Sequence, residues 1–422
     1  MTRSVEEHRA VVAALISAQP AELVPLAEAR GRVLAQDLVA GIALPSFDNS
    51  AMDGYAVRAV EVASASDETP VVLPVSADVP AGRTDVPPLE PGTVHRIMTG
   101  APMPVGADAV IPVERTDGGS ERVSLRHAPA AGTHVRLVGE DVSAGTVVVA
   151  AGTVLQAAQI GVAAAVGCAE LAVRRRPVVL VLSTGSELVA PGTPLAPGQI
   201  YESNGPMLAA AVEEAGGRAE LLRFVPDDVE EFLARLAAWS DGVDLVLTSG
   251  GVSAGAYEVV KDAFTGRGVE FVTVGMQPGG PQGAGRVDAL GSASAAAGGP
   301  GSASAAGGPG GVAVVTLPGN PVSSQVSFEV FVRPALRAAM GHPHPDRPVV
   351  TATLGEHWRS PGGRRQFRRG VLDAVRGTVK EVGDPASHLL AALAKAECLV
   401  VVPADVTELD EGSPVEVWLL DG

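Results

Sequence analysis

Between residues 176 and 341 the sequence alternates short apolar runs with helix-like segments, and this alternation constrains the fold more than any other feature. Three of the runs are PVVLVLSTG, DLVLTSGG and VAVVTLPG. Strands of a parallel sheet are covered by helices on both faces, so they are apolar along their whole length instead of alternating with polar residues. The pattern therefore predicts an α/β domain over residues 176–341 with a mostly parallel sheet.

Loops of small residues follow three of these predicted strands, at 183–187, 248–253 and 317–321. Ligands of open α/β sheets lie beyond the carboxyl ends of the strands, and loop N–H groups and hydroxyls bind phosphate-like anions there. Asn320 and Pro321 have the residue types of a helix N-cap and first helical residue, which would leave a positive helix end at the same edge. One such glycine-rich turn is common in α/β folds, but three at one edge predict an anion site.

Lysine is almost absent from the chain, so its one occurrence near a predicted anion loop draws attention. Lys261 follows the second loop, and the other lysines are Lys380 and Lys395. A compact ammonium suits a phosphate contact, and a solvated helix lysine explains the residue equally well. Both interpretations of Lys261 stay open on these grounds.

The rest of the chain divides around the α/β domain. Residues 46–138 carry short Val-rich runs between turns and predict an inserted β-rich domain. Residues 1–45 and 139–175 predict one helical/β domain, because a helical segment in the second stretch is expected to pack onto the N-terminal helix. Residues 347–422 predict a small β domain. At 284–311 an imperfect repeat of Gly, Ser and Ala can bury little, which predicts a disordered insertion.

Composition excludes several classes of partner. With 31 basic and 48 acidic residues the net charge is −17, which repels nucleic acid, and 3% aromatic residues leave little for base stacking. Cys168 and Cys398 have no metal-site or redox spacing, and no apolar run reaches about 18 residues. We expect a soluble cytoplasmic protein with no nucleic-acid or membrane partner.

Acidic residues in the inserted domain suggest a metal. Asp53 lies in the segment PSFDNSAMDGYAV, and turn chemistry accounts for it, Thr99 and the pair Glu140–Asp141 less easily than for Asp48. Carboxylates gathered opposite anion loops usually hold Mg²⁺, which bridges phosphate oxygens. The sequence therefore predicts a Mg²⁺ cofactor.

Six motifs, in order, carry a family resemblance: PSFDNSAMDGYAV, RIMTGAPMPVGADAVIPVE, GEDV, STGSEL, SGGVSAG and LPGNPVS. They closely resemble the molybdopterin molybdotransferase family, the molybdenum insertion enzymes that include MoeA and the gephyrin E domain. The first motif is highly specific, and the resemblance covers nearly the whole chain.

The resemblance implies a multidomain α/β fold. Its parts are a MogA-like three-layer α/β domain with a parallel-rich sheet, the inserted β-rich domain, an elongated N-terminal helical/β dimerisation domain (1–45 plus 139–175) and a small C-terminal β-barrel. It also implies a homodimer in which adenylylated molybdopterin receives molybdate and AMP is released with Mg²⁺. The active site would lie between the α/β domain of one subunit and the inserted domain of the other. The adenylyltransferase of the preceding step is a possible partner.

The resemblance also implies the site residues. The expected catalytic residues are Asp53, Thr99, Asp141, Glu187, Asp228, Asp244 and Lys261. The expected cofactor-binding residues are Ser249, Gly250, Gly251, Ser253, Pro318, Gly319, Asn320, Pro321, Arg369 and Ser387. The expected Mg²⁺ ligands are Asp53, Asp141, Glu187 and Asp228, with Asp227 an alternative to its neighbour.

Two departures from the family pattern bear on activity. The family commonly has a KPGKP-like stretch where this chain reads Met276-Gln277-Pro278-Gly279-Gly280-Pro281, without lysine. The residues before Lys261, Tyr257-Glu258-Val259-Val260, also differ from the family's acidic-aromatic pattern. Two alternatives are therefore kept: a molybdopterin adenylyltransferase, and a molybdopterin-binding scaffold without turnover. The inserted domain speaks against the first, and the missing lysines favour the second.

Overall fold

The computed structural model describes residues 2–225, 228–239, 242–251, 259–287 and 311–420. The chain begins with β1 (Thr2–Arg3), α1 (Val5–Leu15), β2 (Ala21–Pro25) and β3 (Leu38–Val39). An inserted domain follows, with β4 (Asn49–Ser50), β5 (Gly54–Val57), β6 (Val71–Val79), β7 (Val94–Ile97), β8 (Ala109–Pro112), β9 (Arg122–Leu125) and β10 (Val135–Arg136). The chain then returns to the part that precedes the insertion, with β11 (Val147–Val149), α2 (Ala157–Ala165) and β12 (Glu170–Arg174). Residues 1–45 and 139–175 are called the first region.

The first region is built from two antiparallel strand pairs and α2. Strand β12 pairs with β2, and β11 pairs with β3. Helix α2 contributes Ala163 to a core that contains Val24, Leu34 and Leu171. Chain segments on both sides of the inserted domain therefore form one core.

Helix α1 does not belong to that core, contrary to the expectation that α2 packs onto it. Its Val5, Val12 and Leu15 pack in the same cluster as Val181 and Phe331 of the α/β domain. A Ser4–Glu7 capping box starts the helix. Because its apolar stripe meets a larger apolar surface on the sheet side, α1 covers the α/β domain.

The inserted domain is a five-stranded sheet with the order β8-β5-β7-β6-β9. Strand β5 lies between β8 and β7 and is buried throughout. Its first residue must be glycine, because a Cβ on Gly54 would lie 2.0 Å from the carbonyl oxygen of Ile111. Tyr55 and Ile111 lie in its core.

The α/β domain alternates strands and helices. Its elements are β13 (Val178–Thr184), β14 (Leu188–Val189), β15 (Ile200–Tyr201), α3 (Asn204–Glu214), β16 (Arg218–Val225), α4 (Val229–Trp239), β17 (Leu245–Ser249), α5 (Val259–Phe264), β18 (Val269–Val274), β19 (Met276–Gln277), β20 (Pro281–Val287), β21 (Val312–Leu317), α6 (Pro321–Ser327) and α7 (Arg333–Ala339). A π-helical turn, Phe328–Val332, joins α6 to α7.

The seven-stranded sheet of this domain has the order β1-β18-β20-β21-β17-β13-β16. Strands β21, β17, β13 and β16 are parallel, and β20 is antiparallel to both neighbours. Val179 and Val181 face one apolar cluster, which includes residues of α3 and α6, while Leu180 and Leu182 face another with residues of α4 and α5. Both faces are covered, as the continuous apolar strands predict.

The predicted insertion at 284–311 begins too early. Residues 284–287 belong to β20, where Ala284 pairs with Val315 and Val287 with Val312. Small residues fit there because the strand is enclosed: a Cβ on Gly285 would lie 2.0 Å from the carbonyl oxygen of Gly268. Residues 288–310 lie outside the described part of the chain.

The C-terminal region is a small barrel. Its elements are β22 (Val349–Leu354), β23 (Trp358–Arg359), β24 (Arg365–Asp373), β25 (Thr378–Glu381), α8 (Leu390–Leu393), β26 (Cys398–Val402), β27 (Glu408–Leu409) and β28 (Pro414–Leu419). The order β24-β25-β22-β28-β26 closes through pairing of β24 with β26. Strand β19 of the α/β domain also pairs with β24, which joins the two domains.

The multidomain fold class predicted from the sequence is confirmed, including the parallel-rich sheet and the closed C-terminal barrel. None of the helices formed by the described residues has the length and apolarity needed to cross a membrane.

Candidate active site

A cleft of about 1450 Å³ lies at the carboxyl ends of β13, β17 and β21, between the α/β domain and the barrel. Of the residues predicted from the sequence, it is lined by Glu187, Ser249, Gly250, Gly251, Pro318, Gly319, Asn320, Pro321 and Ser387. The three loops that the sequence placed at one sheet edge therefore meet in one cavity, as parallel strand ends must.

Direct contacts join these loops. The Ser183 and Ser249 hydroxyl oxygens are 3.3 Å apart. The Gly250 N–H donates to the Leu317 carbonyl oxygen at 3.1 Å. Because this N–H is already bonded to a neighbouring loop, it is not one of the free anion donors expected from the sequence.

Glycine is required in the second loop for two separate reasons. Gly250 and Gly251 have φ of +94° and +67°, a region that L side chains rarely adopt. A Cβ on Gly250 would lie 3.1 Å from the Thr184 carbonyl oxygen, and one on Gly251 would lie 3.0 Å from Val260. The two glycines let the second loop pack closely against the first loop and α5.

Asn320 occupies the N-cap position of α6, and Pro321 is its first residue, as predicted. The Asn320 side chain does not cap the helix. Its Nδ2 instead donates to the Ser387 hydroxyl at 2.9 Å, while the Val322 N–H donates to the Ser387 carbonyl oxygen at 3.1 Å. The helix start is therefore tied to the barrel loop, and one of its first-turn donors is already used.

Arg369 does not line the cleft. Its buried guanidinium donates to the carbonyl oxygens of Asp384 and Leu389, on either side of Ser387. Burial lowers the pKa of Arg369 from its ordinary value. The geometry makes Arg369 a support for the loop that carries Ser387.

Glu202 is a cleft residue that the sequence analysis did not single out. Its Oε1 accepts hydrogen bonds from the Ser183 hydroxyl at 2.9 Å and from the Gly205 N–H at 2.6 Å. Neighbouring Asn204 donates to the Gly319 carbonyl oxygen at 2.7 Å. The polar trio 202–204 at the start of a helix was the available signal.

The charged groups around the cleft are few. Glu187 and Glu202 supply carboxylates, and exposed Arg364 of the barrel supplies a guanidinium. His388 lies beside them, and the stretch 276–281, without a lysine, forms part of the wall. Among the described lining residues Arg364 is thus the one fixed cation, and it too was missed from the sequence.

Asp53 and Thr99 meet on the inserted domain, outside the cleft. The Asp53 Oδ1 accepts hydrogen bonds from the N–H and the hydroxyl of Thr99, each at 2.7 Å. These bonds, with the backbone one the larger cause, hold the pKa of Asp53 below its usual value. The pair is exposed and presents an ionised carboxylate to its surroundings.

Asp141 lies on the segment that returns to the first region. Its N–H donates to the Leu44 carbonyl oxygen at 3.0 Å, and its side chain is exposed. It does not line the cleft either. The structure of one chain therefore leaves Asp53, Thr99 and Asp141 apart from Glu187.

Other predicted residues have different places. Asp228 caps α4, where its Oδ1 accepts from the Glu231 N–H at 2.8 Å. Lys261 lies on α5 and is not among the lining residues of the cleft. Ser253 and Asp227 fall outside the described residues.

Asp244 lies at the amino end of β17, opposite the cleft. Its carboxylate binds Arg175 at 2.6 Å and accepts from the Val178 N–H at 2.7 Å. Five residue steps of about 3.3 Å each separate it from Ser249. The structure therefore does not bring Asp244 to the predicted site.

Acidic side chains do not converge into the predicted set of four metal ligands. Within the described ranges, no three His, Cys, Asp or Glu side chains gather closely enough to hold a metal ion. Among the described residues that line the cleft, Glu187 and Glu202 are the carboxylates. Mg²⁺ commonly uses one or two carboxylates plus substrate phosphates, so the exposed Glu187 carboxylate is chemically suited to it.

Three family descriptions match successive parts of the chain. Residues 3–167 match the MoeA N-terminal region (domain I and II), residues 180–338 a probable molybdopterin binding domain, and residues 351–420 the MoeA C-terminal region (domain IV). A molybdopterin molybdenumtransferase 2 of Mycobacterium tuberculosis is 53% identical over 99% of both chains.

The chain belongs to the molybdopterin molybdenumtransferase family.

Further members of this family agree in length and architecture. Molybdopterin molybdenumtransferase 1 of M. tuberculosis is 36% identical over 99% of both chains, and the Bacillus subtilis molybdopterin molybdenumtransferase is 31% identical over 94% of this chain and 90% of its own. The crystal structure of a molybdopterin biosynthesis MoeA protein from Pyrococcus horikoshii is 31% identical, with a TM-score of 0.82 over 100% of both chains. The family predicted from the motifs, and its class as a transferase of molybdenum cofactor biosynthesis, are confirmed.

Proposed function

We propose that this protein inserts molybdate into adenylylated molybdopterin and releases AMP, with Mg²⁺ as cofactor. The observation that carries the proposal is the convergence of three strand-end loops and the Ser387 loop in one cleft. A cavity of about 1450 Å³ has room for a pterin joined to a nucleotide. The adenylyltransferase of the preceding step would supply the substrate.

We infer that Arg364 and the hydroxyl of Ser387 bind an oxyanion on the barrel side of the cleft, because both line it. The Asn320 amide donates to the Ser387 hydroxyl, and Arg369 anchors the loop on both sides of it. With 276–281 lacking lysine, Arg364 is the cation that supports this role.

Mg²⁺ fits the donor set of the cleft, since the exposed Glu187 carboxylate offers hard oxygen ligands. When bound, it would offset negative charge on the phosphates of the adenylyl link. Glu202 already accepts two hydrogen bonds from the protein through Oε1, so we do not count it as a ligand of the ion. Glu187 is exposed, so it can turn toward a ligand.

We further propose that the active unit is a homodimer, in which the Asp53–Thr99 pair of one subunit completes the cleft of the other. Support comes from apolar side chains exposed on the first region. Val39 and Val147 face each other across β3 and β11 and are 49% and 48% exposed; Ile42 is exposed on the same region, and Leu137 and Val138 are exposed where the inserted domain ends. Exposed apolar tracts of this kind mark protein interfaces.

The scarcity of cysteine, two in 422 residues, supports a cytoplasmic location for this enzyme.

The test is AMP release from adenylylated molybdopterin with molybdate and Mg²⁺. We expect Glu187→Ala and Asp53→Ala each to reduce kcat/KM about a hundredfold or more, because each removes a charged group aimed at the reacting phosphates. Mixing the two variants should restore part of the activity, because one of the two sites in a mixed dimer is then intact. Full activity in both variants would overturn the proposal.

The same assay separates the alternatives left open by the sequence. Formation of adenylylated molybdopterin from ATP would indicate an adenylyltransferase. Tight binding of adenylylated molybdopterin without AMP release would indicate a scaffold, in keeping with the missing lysines at 276–281.

A further inference from the structure

The buried hydroxyls at the floor of the cleft form a chain that ends on a carboxylate. The Ser249 oxygen lies 3.3 Å from that of Ser183, and the Ser183 hydroxyl lies 2.9 Å from the Glu202 Oε1. Ser183 and Ser249 are 6% and 2% exposed, so these hydroxyls have few other partners. The Gly205 N–H also donates to the same Glu202 oxygen.

Hydrogen accounting fixes the direction of this chain. An ionised carboxylate only accepts hydrogen bonds, and a serine hydroxyl has one hydrogen to donate. Ser183 therefore gives its hydrogen to Glu202 and can only accept from Ser249. Ser249 in turn gives its hydrogen to Ser183, which leaves the lone pairs of its oxygen for the cleft.

The geometry points to Glu202 as a positioning residue that makes the Ser249 hydroxyl an acceptor toward bound substrate. This inference rests on the proposed function and specifies it. An acceptor at this point cannot bind a phosphate oxygen. It suits a group that takes an oxygen lone pair, either an N–H of the pterin or a Mg²⁺ ion.

The test is the dissociation constant of adenylylated molybdopterin, measured by pterin fluorescence with and without Mg²⁺. Glu202→Met removes the terminal acceptor and frees the hydroxyls to rotate, and we expect binding to weaken about five- to tenfold, the usual effect of one hydrogen bond. Glu202→Gln keeps an Oε1 acceptor, so its dissociation constant should stay within about threefold. Ser183→Ala should behave like Glu202→Met.

A double-mutant cycle separates positioning from support of the fold. Glu202 also holds the Gly205 N–H at the start of α3, and that role does not depend on Ser249. In the Ser249→Ala background, Glu202→Met should therefore cause no further weakening. Glu213→Met is the matched control, because Glu213 accepts the Ala219 N–H elsewhere on α3; it should leave binding unchanged.

Comparing the dissociation constants with and without Mg²⁺ shows whether Ser249 binds the ion or the pterin. If the penalty of Glu202→Met appears only with Mg²⁺, Ser249 acts on the ion; if it is the same without Mg²⁺, Ser249 accepts from the pterin. An unchanged dissociation constant in Glu202→Met, or a penalty that persists in the Ser249→Ala background, would overturn the inference. Binding with these effects but without AMP release would overturn only the proposed function. Absence of binding by the unmodified protein would overturn both.

Discussion

Polar side chains are buried in two regions of the α/β domain, and the two regions satisfy them differently. At the cleft, Ser183 and Ser249 form a hydroxyl chain that ends on a carboxylate facing the cavity. Away from it, Glu329 is enclosed by two arginines: Arg347 binds both its oxygens at 2.8 and 3.1 Å, and the Arg333 Nε lies 3.8 Å away. The Glu329 carboxylate of this cluster, called the closed cluster below, is taken up by protein donors, whereas the open chain has an acceptor left for a ligand.

The largest loss of stability should follow a change in the closed cluster. Glu329→Gln leaves Arg333 and Arg347, both nearly inaccessible, beside a neutral partner. Breaking a buried ion pair costs about 3–5 kcal/mol, so the urea midpoint should fall by that amount divided by the m-value. Unchanged unfolding of Glu329→Gln would remove the contrast between the regions.

A second effect depends on pH. Burial, with a smaller contribution from Arg3, lowers the pKa of His8 to about 4, against 6.5 for an ordinary histidine. Between these values the unfolded chain binds a proton that the folded chain does not, so stability falls as the pH falls from about 6.5 toward 4. At pH 4 the loss should reach about 3 kcal/mol.

The rings of His8 and Phe331 meet edge-on, with their centroids 4.7 Å apart. His8→Phe keeps an aromatic ring against Phe331 and removes the titrating group. Thermal unfolding at pH 7 and pH 4.5 should show a smaller difference in this variant than in the unmodified protein. Identical pH dependence would place the titration elsewhere.

A moderate effect is expected at the amino end of β17. Asp244→Ala removes the partner of Arg175 and of the Val178 N–H, with a cost of about 1–3 kcal/mol. AMP release per folded molecule should stay unchanged, because Asp244 lies at the sheet end opposite the cleft. A selective fall in kcat would restore the catalytic role implied by the family motif.

The smallest effect on stability should come from the cleft itself. Ser249→Ala removes one hydroxyl that donates only to another serine, so the unfolding free energy should change by less than about 1 kcal/mol. Activity should nevertheless fall about fivefold to tenfold, measured as AMP release. A destabilisation as large as that of Glu329→Gln would mean that the hydroxyl chain holds the fold as well.

Sequence reasoning predicted what periodicity and local chemistry determine. Apolar runs such as 178–182 place the sheet, and the three loops meet because parallel strands end at one edge. Glu202 and Arg364 were missed because their role depends on which distant segments fold beside them. Asp244 was expected at the cleft but lies at the opposite end of the sheet. The family resemblance indicates which strand a residue is near, but not at which end of that strand it lies.

Helix α1 illustrates the same limit at the level of domains. Its apolar stripe predicts burial but not the partner, and the α/β domain offers the larger surface. Arg369 likewise matches a family position, while its hydrogen bonds to Asp384 and Leu389 give it a supporting role that no motif reveals.

The pairing of Val287 with Val312 sets where the segment 288–310 is attached. This pair lies at the amino end of β21, and the cleft begins at the other end of the strand, after Leu317, about 17 Å away at 3.3 Å per residue. The attachment point is therefore a suitable insertion site for protein engineering. An affinity tag or fluorescent reporter spliced there would leave the cleft unobstructed and follow the enzyme through turnover.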